Sequence, residues 1–293
     1  MVQIGYNGWL NSLAGGGRTL PGATAGSAPP GAPKALSALH HACGWSETRA
    51  LEELLSRYGG QIAALVIAAD YARMEKGRTF YPFVRDLTRE HGAVLVFDEI
   101  VTGFRDAAGG VQEHFGVSPD LGDWGPVAPS LPATGKLKSG PPRAAAVFAK
   151  GIANGMPLSA YCGRAEIMDG LDRAIVSSTY GGEALSLAAA KATIATYRER
   201  NVVAHLWSKG EALWRGGNAL FRRHGIPARV AGFWPCLAFS FAPEAPAELP
   251  DRFYRAAYGC GVSLYQTSYV SFSHQDSDIA ETLERLERSL REL

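Results

Sequence analysis

Apolar positions along this chain change period several times, and each change predicts an element. Over 47–58, ETRALEELLSRY spaces leucines and alanines as one face of a helix, and the GGQ that follows closes it. QIAALVIAA, from Gln61, is an apolar run of strand length. FYPFVRDLTREHG, from Phe80, returns to helical period and stops at Gly92, and AVLVF, from Ala93, is a second buried strand. Strand, helix, strand at this spacing predicts a parallel α/β sheet with helical crossovers.

Further along, EALSLAAAKATIATYRE (183–199) predicts a strong alanine-rich helix, and VAHLWSKGEALWRGGNALFRRHG a second one ended by Gly225. RVAGFWPCLAFSF and GVSLYQTSYVSFS alternate or cluster as strands do. The tail DSDIAETLERLERSLREL puts Ile279, Leu283, Leu286, Leu290 and Leu293 on one face, with Asp276 or Ser277 as N-cap. Two stretches have no period. Residues 14–34 are rich in Gly, Ala and Pro and read as loop, and residues 122–146, GDWGPVAPSLPATGKLKSGPPRAAA, read as an inserted loop of unusual length. The expected organisation is a large α/β domain over 1–200 and a small α+β domain over 201–293.

Composition narrows the functional classes. A net charge of +1 with acids and bases interspersed gives no electrostatic reason to propose nucleic acid or an anionic membrane as partner. No apolar run reaches membrane-spanning length. Cys43, Cys162, Cys236 and Cys260 are scattered without CxxC spacing, so they read as reduced thiols, and the seven histidines show no metal-ligand spacing. MVQIGYNGWLNS has neither the basic start nor the apolar core of a signal peptide. The expected compartment is the cytoplasm; an organelle form that has shed its targeting segment fits the same composition.

Two segments carry candidate chemistry. In AVLVFDEIVTGFR, Asp98 ends an apolar run, and the carboxyl ends of parallel strands are where α/β sheets bind ligands. The competing reading is a helix cap or an ion pair with Arg105. In VFAKGIANGMPLSAYCGR, Lys150 follows a short apolar approach and precedes glycines. Partial desolvation lowers a lysine's pKa, and a neutral amine attacks an aldehyde; the competing reading is a surface lysine at a strand-to-turn junction. A lysine that forms a Schiff base and an acid that keeps a ring nitrogen protonated are the two protein groups that pyridoxal chemistry needs. Tyr6 and Gly8, in GYNGW, suit the face of a flat ring, or Tyr6 is a plain core or loop tyrosine. Thr179, in SSTYGGEA, sits before a helix, where hydroxyls and free N–H groups suit either a phosphate or ordinary capping.

Together, GYNGW, HGAVLVFDEIVTGFR, HFGVSPDL, FAKGIANGMPLSAYCGR and SSTYGGEALSLAAA resemble the class III pyridoxal-phosphate aminotransferases, the group that includes glutamate-1-semialdehyde aminomutase. The resemblance runs from Gly5 to Leu293. It implies pyridoxal 5′-phosphate as cofactor and a partial fold-type I large domain with a small C-terminal domain. It implies Lys150 as the Schiff-base lysine, Asp98 against the pyridine nitrogen, Ile100 on one ring face and Tyr6, with Gly8 beside it, on the other. It also implies Thr179 at the cofactor phosphate of a neighbouring subunit, hence a homodimer with shared sites. The implied partners are a small-molecule amino donor and a keto or aldehyde acceptor. An aminomutase, returning the amine to a neighbouring carbon of the same molecule, fits equally.

The departures from the family pattern are specific. Asn7 stands where the family has histidine, and Ala69-Asp70 where it has Glu-Pro. The family joins PDL to the lysine by a short run, whereas 122–146 intervenes here. Family members also carry a long stretch before GYNGW, with a Gly/Ser-rich phosphate turn. The expectation is therefore an N-terminally truncated chain that binds cofactor weakly, or a catalytically impaired homologue.

Overall fold

The computed structural model describes residues 1–5, 35, 38–120, 146–174 and 179–293. They fall into two compact units, 1–69 with 76–199, and 70–75 with 200–293.

The first unit is built on a sheet of order β2-β1-β3-β4-β5-β6, with β1 Val2–Ile4, β2 His41–Ala42, β3 Ala64–Ala68, β4 Val94–Asp98, β5 Ala146–Phe148 and β6 Ala160–Cys162. All pairings are parallel except that of β6, which runs antiparallel to β5 at the edge. Helices α1 Thr48–Tyr58 and α2 Gly77–Glu90 flank the two central strands in sequence, which is the crossover arrangement that the alternating periods predict. Leu65, Ile67, Leu95 and Phe97, paired side by side on one face of the sheet, are buried to 1% exposure or less, and the other face carries apolar Ala64, Val66, Val94 and Val96.

Asp120 pins this region. Its Oδ2 accepts Leu95 N and Arg85 Nη2, both at 2.9 Å, and its own amide donates to Leu95 O at 3.0 Å. Asp120 is the aspartate of the HFGVSPDL segment, and the chain re-enters the sheet at Ala146, paired with Phe97. The sequence reading gave Ala146 to the inserted stretch. It is instead the first residue of β5 and almost fully buried. The run of three alanines hid the boundary, because alanine carries no periodic signal. The remainder of 122–146 lies outside the described residues, as does 14–34.

Beyond β6 come α3's later counterparts α4 Ala165–Met168 and α5 Ala184–Glu199, α3 itself being Val111–Phe115. Glu183 starts α5 by accepting Leu185 N, Ser186 N and Ser186 Oγ. Ala189, Ala190, Ile194 and Tyr197 of this helix pack on Phe104, Phe148 and Ile152.

The second unit carries a three-stranded antiparallel sheet of β7 Ala228–Phe233, β8 Cys236–Phe241 and β9 Thr267–Tyr269. Its helices are α6 Val202–Arg223, α7 Leu249–Gly259 and α8 Asp276–Leu290. Asn218 fastens α6 to β7, donating to Val230 O at 3.1 Å and accepting Val230 N at 2.9 Å. α8 starts one residue earlier than its acidic tail suggests. Gln275 is the N-cap, and its amide donates to Asp278 Oδ2 at 2.7 Å in a capping box. The box replaces the Asp276 or Ser277 cap, because an acceptor placed three residues on satisfies the cap's own amide as well.

Candidate functional site

Two strand ends meet in the first unit. Asp98 is the last residue of β4 and pairs with Val147 of β5, so the turns that follow the two strands leave the same sheet edge side by side. Val147 is three residues before Lys150. Asp98 is half-buried, and its Oδ1 accepts Ile100 N at 3.1 Å, a local turn bond that gives the capping reading of this aspartate real substance.

Glycines set the distance between the turns. A Cβ on Gly103 would lie 2.4 Å from the Phe148 ring and 2.8 Å from Glu99 O. A Cβ on Gly151 would lie 2.9 Å from Phe104 Cβ and 3.1 Å from Gly103 O. Each glycine thus gives its neighbour room that a Cβ would take, so a side chain at either position forces a shift. Phe104 has φ +63°, and the hydroxyl of Tyr197, reaching over from α5, donates to its carbonyl.

Lys150 begins a short 3₁₀ turn, Lys150–Ala153, and has φ +29°, a conformation that L-residues seldom adopt. Lys150 as a whole residue is exposed. Burial lowers the ammonium pKa from its ordinary value, the Arg105 guanidinium lowers it further, and the Asp98 carboxylate works in the opposite direction. Lys150, Arg105 and Asp98 therefore form one electrostatic group.

Glu99, directly after Asp98, is fully buried. Its carboxylate accepts Thr102 Oγ1, Val111 N at 3.0 Å and Gln112 N at 3.0 Å.

Of the residues expected from sequence, the fold brings Asp98, Ile100 and Lys150 to neighbouring turns. Thr179 is described and exposed, in a turn just before α5. Tyr6 and Gly8 lie outside the described residues. The sequence reading missed three contributors: Glu99, Arg105 as a charge acting on the lysine, and Tyr197. A usable signal existed for Glu99, namely a second acid after a strand-end acid, with a hydroxyl three positions on and two glycines at 109 and 110. For Tyr197 no signal existed, because its partner is a backbone carbonyl 93 positions away.

The donor set suits an aldehyde-bearing heteroaromatic cofactor at its aldehyde and ring-nitrogen ends: an amine of lowered basicity and a carboxylate on adjacent strand ends, with side chains excluded by the paired glycines. Among the described residues, no group of His, Cys, Asp and Glu is placed to hold a metal ion.

The Aminotransferase class-III family model matches residues 144–290, half of the chain and including Lys150. The chain belongs to the class III aminotransferase family. Among its relatives, the glutamate-1-semialdehyde 2,1-aminomutase of Thermomicrobium roseum is 30% identical over 269 residues, covering 85% of this chain and 57% of the relative. An omega-transaminase from Sphaerobacter thermophilus superposes with a TM-score of 0.77 at 20% identity, covering 99% of this chain and 68% of that one. A glutamate-1-semialdehyde aminomutase from Pseudomonas aeruginosa, solved in complex with PMP, superposes with a TM-score of 0.72 at 19% identity, covering 100% and 66%. The fold is that of the fold-type I transaminases. The chain spans 57–66% of the length of the curated relatives that match it first.

Proposed function

We propose that the chain serves pyridoxal-phosphate-dependent amino-group transfer between a small amino compound and a keto or aldehyde acceptor. The supporting observation is the pairing of Asp98 with Val147, which sets an acid and the lysine turn on adjacent parallel strand ends. Intramolecular transfer of the aminomutase type is the second reading, favoured by the curated relatives that carry that name.

When bound, pyridoxal phosphate supplies an electron sink for charge developing at the substrate's α-carbon. Lys150 would hold the cofactor by its aldehyde through Nζ. Once displaced by the incoming amine, the same Nζ would take the proton from the α-carbon and deliver it elsewhere. Its depressed basicity suits both duties, since a neutral amine is required each time. Asp98 would hold a proton on the ring nitrogen by opposite charge. Ile100 would pack on a ring face, and Tyr6 with Gly8 would complete the other face. Thr179, exposed before α5, would reach the phosphate in a second copy of the chain, making the working form a homodimer. The scattered free cysteines suit the cytoplasm. No described helix is long and apolar enough to cross a membrane.

The test is to incubate the purified chain with pyridoxal phosphate, reduce with borohydride and map the labelled peptide. The expected label is on Lys150, lost in Lys150→Ala, with amino transfer measurable from a donor amine. Labelling spread over exposed lysines such as Lys191, unchanged by Lys150→Ala, would overturn the reading.

A further inference from the structure

Glu99 is the most deeply buried carboxylate of the described residues, and the amino-transfer chemistry proposed above gives it no duty. Everything around it is arranged to receive it. Thr102 Oγ1 and Val111 N meet Oε2, and Gln112 N meets Oε1. Gly110, at φ +74°, passes so close that a Cβ there would lie 2.0 Å from Oε2. The two acceptor oxygens thereby tie both ends of the 100–112 segment to the end of β4. Between those ends sit Gly103 and Phe104, the residues packed against Gly151, next to Lys150.

We propose that Glu99 is a positioning residue for the Lys150 turn, its carboxyl group holding the 100–112 segment in the shape that presses Gly103 and Phe104 against Gly151. The role of the lysine itself rests on the reading above.

Burial pushes the Glu99 carboxyl up to about 7, Asp98 adds to the rise, and the three donors oppose it. The groups meeting it from the loop and from α3 are neutral, namely the Thr102 hydroxyl and the Val111 and Gln112 amides. The other charged or titratable residues on those elements are Arg105, Asp106, Glu113 and His114. Arg105 donates to Val101 O, and Glu113 accepts Gly109 N at 2.7 Å. Because the closed state raises the carboxyl's pKa above its ordinary 4.5, the closed state binds the proton more tightly than the open one. The contribution of Glu99 to closure is therefore full below about pH 4.5 and lost as pH rises through about 7. Glutamine removes the titration while keeping one acceptor oxygen for the segment, whereas removal of the side chain orphans all the donors.

Amide hydrogen exchange of the full chain, read by mass spectrometry on the peptides covering 100–112 and 150–156 between pH 5 and 8, tests this. After correction for intrinsic rates, wild type should lose protection in both peptides as pH rises through the neutral range. Glu99→Gln should abolish that dependence in both. Glu99→Ala should exchange roughly tenfold faster in both, the loss expected when buried donors go unmet. Unchanged pH dependence in Glu99→Gln would overturn the proposal. So would faster exchange confined to 100–112, since a purely local bracing role would leave 150–156 untouched. Borohydride trapping on the same samples separates the two claims. Coupled exchange without Lys150 labelling leaves Glu99 a positioning residue of that turn and sinks the amino-transfer reading. Labelling of Lys150 without coupled exchange sinks only the role of Glu99.

Discussion

The two turns that meet at the sheet edge are built in opposite ways. The turn after Asp98 is tied at almost every residue. Gly103 N donates to Glu99 O, Arg105 N and Asp106 N both donate to Thr102 O, Phe104 N donates to Ala108 O, and Tyr197 holds the Phe104 carbonyl from outside. The turn after Phe148 is a short 3₁₀ turn, Lys150–Ala153, with no hydrogen bond given to it by a distant side chain among the described residues. Ile152 N donates to Ala149 O and Met156 N to Ala153 O, while Lys150 and Asn154 both sit at positive φ. The lesson is a division of labour. On the roles proposed above, a carboxylate that stays opposite one ring atom would gain from a rigid mount, and a lysine that attaches, detaches and carries a proton would gain from a loose one. Uncommon φ values are retained where surrounding packing fixes them, and here the packing comes from the neighbouring turn.

The sharpest break in the comparison is at the rigid side. Asp98→Asn keeps the Ile100 N contact available and removes only the charge. It should leave Lys150 able to react with pyridoxal phosphate yet lower turnover by roughly 10²-fold, the scale of losing a charge-assisted contact worth about 3 kcal/mol. Steady-state rates alongside borohydride trapping check both halves. Full turnover in the variant would make the aspartate a local cap only.

Next in size is the contact between the turns. Gly103→Ala meets a ring at 2.4 Å and a carbonyl at 2.8 Å, both in buried surroundings, so it should destabilise the first unit by about 1–3 kcal/mol. Gly151→Ala meets Phe104 Cβ at 2.9 Å and should cost less, because the looser turn can shift. Urea titrations of the two variants give the order, and Gly151→Ala proving the more destabilising would contradict the assignment of the loose side.

The stretch that the sequence suggests to be an insertion is a milder test. Deleting residues 122–145, which keeps Ala146 in β5, should leave stability unchanged or raise it by under about 1 kcal/mol, since loop-closure entropy depends weakly on length. A clear fall in Tm on deletion would assign the stretch a packing role.

Sequence made some of this plain and concealed the rest for identifiable reasons. β3, α2 and β4 were readable because buried parallel strands are unbroken apolar runs and the intervening helix keeps its own period. The placement of Asp98 and Lys150 after neighbouring strands was readable because each closes an apolar run, and the family resemblance joined them. β1, β2, β5 and β6 are two or three residues long, too short for any period to register. α7 was readable and went unread: Pro250 stands at its start, and Leu249, Phe253 and Ala257 recur every fourth residue and are buried. The bonds that brace the Asp98 turn were out of reach, since most run to backbone groups and leave no mark in residue choice.

The smallest effect concerns the charge that the rigid turn lends to the loose one. Arg105 lies on the braced side, yet its guanidinium lowers the basicity of Lys150 on the other, against the pull of Asp98. Removing the positive charge in Arg105→Met makes the ammonium easier to keep, so the Lys150 pKa rises toward its ordinary value. Less neutral amine is then present at any given pH, and the rise of the Lys150 labelling rate with pH moves in the alkaline direction. Burial, the larger cause of the lowering, is untouched, so the profile moves only part of the way. Arg105→Lys separates charge from structure, because it keeps a cation near the site while giving up the guanidinium's own bond to Val101 O. A profile that moves in Arg105→Met and stays in Arg105→Lys assigns the effect to charge. Equal movement in both variants would mean that Arg105 acts by bracing its turn, and the contrast between a rigid mount and an electrostatically tuned lysine would have to be redrawn.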